Sequence, residues 1–170
     1  MLRAIFWDRD GVVNQVTVVG NKPFSPRNFA DFKLMPGISE CFQKTRELGF
    51  KNIIVTNQPD IARGLMAIDV LDQMHSLLEK ELFVDEINVC PHDNNQCDCR
   101  KPLPGLITKS ATKNNFDLAE SYIIGDTIRD IQAGKAAGCK TILLRRDYNG
   151  DAVELADYVV SGINEIFNLI

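Results

Sequence analysis

Long apolar runs are missing from this 170-residue chain. Clusters such as Ala4–Trp7 and Ile53–Val55 are far short of the ~20 residues that span a bilayer. The N-terminal segment MLRAIFWDRDG meets charge at Asp8 after a short apolar run, so neither a signal peptide nor a spanning helix is expected. A cytoplasmic location with no membrane partner follows. Excess positive charge is also lacking: 19 Lys and Arg against 23 Asp and Glu give a net charge of -4. Such a surface cannot neutralise many phosphates of a polynucleotide, so no nucleic-acid partner is expected. Histidine is scarce, with two residues, and the cysteine count, five, is odd. Three of those cysteines, Cys90, Cys97 and Cys99, lie within ten residues, which suits metal capture under reducing conditions better than a disulfide framework. Repeats and low-complexity tracts are absent.

What is present is ordinary globular composition, 45% hydrophobic and 25% charged. The length predicts one domain over residues 1–170, and a monomer. Short β-rich runs fall at Leu2–Trp7, Lys51–Thr56, Glu86–Val89, Ser121–Ile124, Thr141–Leu144 and Asp157–Val160. Helical patterns lie between them at Pro36–Leu48, Ile68–Leu82, Pro104–Asn114 and Ile128–Ala137, the first closing at Gly49 and the last at Gly138. Alternation of strand and helix predicts an α/β fold, with a parallel sheet covered on both faces. In such sheets the site lies beyond the carboxyl ends of the strands. The polar stretch Asn14–Asp31 is long for a plain connection and is expected to act as a small flap over that site.

Four strand ends carry polar clusters. Asp8-Arg9-Asp10-Gly11 follows the first strand. A calcium loop of the EF-hand type would need an acid or amide at Val12, a glycine two places beyond Gly11 and a glutamate at Val19, so it fails three times. A simple Asp/Gly turn remains the bland alternative. Thr56-Asn57-Gln58 follows the second strand, Arg100-Lys101-Pro102 follows the cysteine-rich segment, and Gly125-Asp126-Thr127 follows a later strand, with Asp130 one turn on. Carboxylates, a hydroxyl and a lysine meeting at one sheet edge would hold a phosphate and a divalent cation. An ionised aspartate can attack phosphorus once the charge repulsion is screened. Asp8 with Asp126 would offer Mg²⁺ hard oxygen ligands, and Lys101 would add positive charge.

Cys90-Pro91-His92 followed by Cys97-Asp98-Cys99 supplies four soft and imidazole ligands able to close a tetrahedron around Zn²⁺. Four protein ligands leave no open position, so the expected zinc loop, 90–99, is structural and fixes the segment leading into Arg100 and Lys101. Cys41 and Cys139 stand apart and are expected as small buried hydrophobes. His75 has no chemical company and is expected at the surface or in a groove.

With these motifs the chain resembles the haloacid dehalogenase (HAD) superfamily of aspartate-nucleophile phosphotransferases over Asp8 to Asp130. The resemblance implies a Rossmann-like three-layer sandwich with a minimal cap and no separate cap domain. It implies Asp8 as nucleophile, Asp10 as general acid then base and as a Mg²⁺ ligand through its backbone carbonyl, Thr56 and the Asn57 backbone on the phosphoryl oxygens, Lys101 as the site lysine and Asp126 as the metal acid. Asp130 is expected to orient its neighbours. An acid at Asp10 points to phosphate rather than halide chemistry.

The zinc loop joined to Cys99-Arg100-Lys101-Pro102 narrows the resemblance to the branch holding heptose 1,7-bisphosphate and histidinol-phosphate phosphatases, with Ile61-Ala62-Arg63-Gly64 closer to the heptose enzymes. The expected function is Mg²⁺-dependent hydrolysis of a phosphorylated sugar, with heptose 1,7-bisphosphate ahead of histidinol phosphate. A non-catalytic, zinc-stabilised interaction module is the distant rival. Arg100 and Arg63 are the candidates for a distal phosphate, since guanidinium makes forked bonds to phosphate. Departures from the branch pattern are Pro59-Asp60, where Ser-Gly is usual, a shorter zinc loop, and Thr127 in place of a basic residue.

Overall fold

Six strands and four long helices form where the hydrophobic pattern places them, and a hairpin joins them. In the computed structural model, which describes residues 1–94 and 96–170, the chain runs β1 (Arg3–Trp7), β2 (Thr17–Val19), β3 (Lys22–Phe24), α1 (Ile38–Glu47), β4 (Phe50–Asn57), α2 (Pro59–Ala62), α3 (Ile68–Glu81), β5 (Glu86–Cys90), α4 (Gly105–Asn114), β6 (Tyr122–Gly125), α5 (Ile128–Ala137), β7 (Lys140–Leu144) and β8 (Tyr158–Val160). The main sheet is parallel throughout its six strands, in the order β5-β4-β1-β6-β7-β8.

Side chains alternate across each strand, so the sheet feeds two apolar layers. Ile5, Trp7, Ile54, Ile124 and Leu144 pack on one face with Phe42 of α1 and with Leu71, Met74 and Leu78 of α3. Ala4, Phe6, Ile53, Val55 and Ile123 pack on the other with Leu106, Ile107 and Ala111 of α4 and Ala133 of α5. Cys41 and Cys139 are buried, as expected of small hydrophobes. Trp7 stacks on Phe42 with ring centroids 4.7 Å apart, and its indole N–H donates to the buried Asn52 at 3.0 Å, which satisfies the one polar atom this large side chain brings inside.

Counting only the sheet's strands in chain order, the arrangement is 3-2-1-4-5-6. The winding direction reverses between β1 and β6, and the crevice beyond their carboxyl ends is the switch point where such sheets bind ligands. Trp7 pairs with Ile54 on one side and Ile124 on the other, so the residues after β1, β4 and β6 emerge together.

Two elements were not expected. The stretch 14–31 contains a real hairpin, β2 with β3, whose turn residues Gly20 and Asn21 both adopt positive φ, 55° and 60°. That geometry matches the twist of a two-residue hairpin, and Gly and Asn are the residues that tolerate it. The short α2 opens on Pro59, whose fixed φ suits a first helical position. Among the described residues no helix is long and apolar enough to cross a membrane.

Candidate active site

Asp8, Lys101, Asp126 and Asp130 meet in one buried cluster at the switch crevice. The Lys101 ammonium donates to Asp8 Oδ1 at 2.7 Å, to Asp130 Oδ1 at 2.6 Å and to the Val55 carbonyl at 2.9 Å. All three of its protons are therefore directed. Burial alone would lower its pKa, but the two facing carboxylates outweigh that and keep it charged.

Asp8 Oδ1 also accepts the backbone N–H of Arg9 at 2.8 Å, leaving Oδ2 as the oxygen without a hydrogen bond among the described residues. Burial, and then the nearby Asp130 charge, pushes the Asp8 carboxyl well above its usual range despite Lys101. Asp126 is pushed up to about 7 by burial and by Asp130. Its Oδ1 is buried without a hydrogen-bond partner among the described residues, while its Oδ2 accepts the Tyr148 hydroxyl. Asp130 is saturated differently. Its Oδ2 accepts the Thr127 N–H at 3.0 Å and the Thr127 hydroxyl at 2.6 Å, capping α5, so it orients Lys101 rather than offering a free oxygen.

Two glycines permit this density. A Cβ on Gly11, where φ is +90°, would lie 2.0 Å from Asp126 Oδ2, and one on Gly125 would lie 2.1 Å from Asp130 Cβ.

Asp10 sits to one side in a different environment. Burial would raise its pKa, but the Arg9 guanidinium and hydrogen bonds from Asn14 and Gln58 outweigh it and hold the carboxyl low. Arg9 is fully buried, pairs with Asp10 Oδ1 at 2.9 Å and lies over the Phe32 ring. Behind it stands His75. Expected at the surface or in a groove, it is half-buried with Nε2 3.3 Å from Arg9, and burial followed by the Arg9 charge lowers it to about 4, so it is neutral. Thr56 is buried, and its hydroxyl accepts from Gln58, which also reaches Asp10. Asn57 exchanges two hydrogen bonds with the Lys101 backbone, both 3.0 Å, and so fixes that segment's height at the strand ends.

A cavity of about 400 Å³ opens above the cluster. Asp8, Asp10, Asn57, Lys101 and Asp126 form its base, and Lys22, Arg129 and Tyr148 stand on its walls. Arg63 and Arg100 do not line it. Arg63 makes a forked pair with Asp93, at 2.8 and 2.6 Å, and approaches Asp60. Arg100 is buried and donates to Asn94 and to the His92 carbonyl. The unusual Asp60 also accepts from Arg27, tying the flap to α2. Sequence reasoning singled out none of Arg9, Gln58, Lys22, Arg129 or Tyr148. Arg9 and Gln58 lie inside the strand-end clusters and Arg129 follows Asp126 by three residues, so each carried a signal; Lys22 and Tyr148 carried none.

The cysteine-rich loop closes as a tetrahedral nest. Sγ of Cys97 lies 3.4 Å from Cys90 and 3.3 Å from Cys99, and His92 Nδ1 lies 3.7 and 3.5 Å from Cys90 and Cys99. Zn–S bonds of about 2.3 Å and Zn–N bonds of about 2.0 Å imply ligand separations of roughly 3.5–3.8 Å, so the set fits zinc. Burial and the neighbouring sulfurs push Cys99 up to about 12. The carboxylate cluster also fits a hard divalent cation: ligand atoms of Asp8, Asp126 and Asp130 lie within 4.8 Å of one another, with one orphaned carboxylate oxygen.

A pH dependence follows. Asp126, at about 7, and Asp8, also raised, hold protons in the folded chain that they release on unfolding, so metal-free stability falls as pH rises from about 4 towards 7. A bound cation removes that deficit. Melting with and without Mg²⁺ at pH 5.5 and pH 8 is expected to show the larger Mg²⁺ gain at pH 8; equal gains would contradict it.

The fold and the acidic cluster define the class, that of HAD-like hydrolases, and a HAD-hydrolase-like family model matches residues 98–166. The chain is 32% identical to the "D-glycero-beta-D-manno-heptose-1,7-bisphosphate 7-phosphatase" of Yersinia pestis over 96% of its own length and 92% of that protein's. It is 35% identical to the same-named protein of Bordetella bronchiseptica over 85% and 81%. The chain belongs to this family of HAD-like phosphatases. Its fold superposes on the crystal structure of D,D-heptose 1,7-bisphosphate phosphatase from B. bronchiseptica complexed with magnesium and phosphate, with a TM-score of 0.83 and 28% identity, covering 98% of this chain and 97% of the other.

Proposed function

We propose that the chain is a Mg²⁺-dependent phosphatase that removes the 7-phosphate of a D-glycero-D-manno-heptose 1,7-bisphosphate through an aspartyl-phosphate, in the making of nucleotide-activated heptose. The supporting observation is the meeting of Asp8, Lys101 and Asp126 in one buried cluster, with Lys101 and the Arg9 N–H on Asp8 Oδ1 and Asp8 Oδ2 left without a hydrogen bond among the described residues. The whole chain, 1–170, acts as one catalytic domain, monomeric and cytoplasmic, with the β2–β3 hairpin as a minimal cap and the 90–99 loop held by zinc. Asp8, Asp126 and the Asp10 backbone carbonyl would hold the magnesium ion. When bound, that ion screens the charge of the phosphate dianion from the attacking carboxylate.

Asp8 Oδ2 attacks phosphorus as the bond to the sugar oxygen breaks, and protonated Asp10 gives its proton to the departing alkoxide. Water then attacks the aspartyl-phosphate and loses a proton to Asp10, which frees Asp8 and inorganic phosphate. The low pKa of Asp10 and its hold by Arg9 suit the second step, where it serves as base; for the first step the negative charge of the incoming phosphate must raise its proton affinity so that it carries the proton it gives. Lys101 stays charged and steadies the developing negative oxygens, with Asn57 lining the pocket beside them.

The second phosphate needs its own cation, and both arginines expected to supply it are engaged elsewhere. Lys22 on the hairpin and Arg129 on α5 face the cavity, and neither makes an ion pair among the described residues. Arg129 thereby stands in for the basic residue that Thr127 replaces. Phosphate release measured under Mg²⁺ is expected to favour heptose 1,7-bisphosphate over histidinol phosphate by about 100-fold in kcat/KM. Arg129→Ala is expected to raise KM for the bisphosphate about tenfold at unchanged kcat, while p-nitrophenyl phosphate keeps its wild-type KM. Preference for histidinol phosphate would reassign the substrate, and no release from any phosphate ester by the folded, zinc-loaded protein would leave only an interaction module.

A further inference from the structure

We propose that Tyr148 is a positioning residue for the divalent cation, acting through Asp126; the inference rests on the phosphatase reading above. The loop after β7 crosses the crevice and is pinned to both acidic turns. The Arg146 guanidinium donates to the Gly11 carbonyl at 3.1 Å. Asn149 Nδ2 donates to the carbonyls of Asp126 and Leu144, both at 2.9 Å, and Asn149 Oδ1 accepts the Arg146 N–H at 2.9 Å. Between these anchors Tyr148, half-buried on the cavity wall, donates its hydroxyl to Asp126 Oδ2.

The two oxygens of Asp126 are thereby made unequal. Oδ2 is held by the Tyr148 hydroxyl and lies against Gly11, so tightly that a Cβ there would come within 2.0 Å. Oδ1 is buried and has no hydrogen-bond partner among the described residues. A buried carboxylate oxygen without a donor is unfavourable unless a cation satisfies it, and it stands among the ligand atoms of Asp8 and Asp130. Tyr148 thus fixes the rotation of the Asp126 carboxyl and reserves Oδ1 for the ion. Ring packing alone would not need the hydroxyl, so Tyr148→Phe isolates it.

The test is calorimetric titration of Mg²⁺ into the zinc-loaded, full-length protein without substrate, for wild type, Tyr148→Phe and Asp126→Asn, with melting of each metal-free form. Outer partners of metal ligands typically govern affinity 10–100-fold. Tyr148→Phe is expected to weaken Mg²⁺ binding about tenfold, with metal-free melting within about two degrees of wild type. The Mg²⁺ concentration giving half-maximal rate should rise by the same factor, and the rate should recover at saturating Mg²⁺. Wild-type affinity in Tyr148→Phe overturns the assignment alone. A wild-type protein that binds no more Mg²⁺ than Asp126→Asn overturns both the assignment and the phosphatase reading.

Discussion

Asp8→Asn is expected to lose at least about 10⁴-fold in turnover and to melt no lower than wild type. The amide has no lone pair comparable to that of a carboxylate for attack on phosphorus, so the covalent route closes while binding and charge stabilisation persist. The fold does not suffer, because Asn keeps an Oδ1 acceptor for Lys101 and for the Arg9 N–H, the two donors Asp8 serves. It also removes one of the two buried carboxylates that share the Lys101 ammonium, and burial followed by Asp130 already pushes the Asp8 carboxyl upward. Asp8→Ala differs, since it leaves a Lys101 proton without its acceptor. Phosphate release at saturating Mg²⁺ read beside a thermal melt separates the outcomes. Near-normal release by the amide variant would take the nucleophile's role away from Asp8, and a melt lowered by many degrees would mean that the cluster is a structural ion pair first.

That the cluster could be anticipated at all reflects how parallel sheets are built. The apolar runs Ile53-Ile54-Val55 and Tyr122-Ile123-Ile124 have no polar alternation, so they had to be central strands, and the polar residues after them had to emerge at one edge. Asp8, Lys101 and Asp126 followed from that topology. What stayed hidden was set by side-chain reach. Asp60 and Asp93 take up Arg63, and Asn94 with the His92 carbonyl takes up Arg100; a sequence shows the guanidinium but not the carboxylate waiting 30 residues away. Lys22 reaches the cavity only because Gly20 and Asn21 fold 17–24 into a hairpin, and a proline such as Pro23 is no mark of a strand. Tyr148 lies 22 residues from the carboxylate it touches, in a loop whose composition carries no mark of function.

Loss of zinc is expected to lower both stability and turnover without unfolding the chain. Cys90 and Cys99 are buried in the apolar layer with Ile53, Val55 and Ile107, so the loop has a packing anchor that small metal-dependent domains lack. That anchor does not compensate for the crowding of Cys97 Sγ within about 3.4 Å of the sulfurs of both Cys90 and Cys99, where burial and neighbouring thiols already hold Cys99 well above its ordinary range. If zinc is present at about 1,000 times its dissociation constant, its linkage to folding is about 4 kcal/mol, which in a chain of this size corresponds to a fall of roughly 8–16 °C in melting temperature. Two residues beyond Cys99, the Lys101 ammonium must meet Asp8 and Asp130 within 2.7 Å, a tolerance that a loosened loop cannot keep. A misplacement of about 1 Å is enough for a 10²-fold loss of rate. Cys97→Ser, kept in excess Mg²⁺ and checked for zinc by elemental analysis, is therefore expected to lose at least about 10²-fold in kcat together with that drop in melting temperature. A chelator such as EDTA would strip both metals and could not separate them. A zinc-free variant that melts and turns over like the wild type would assign the placement of Lys101 to the apolar layer and to the Asn57 clasp alone.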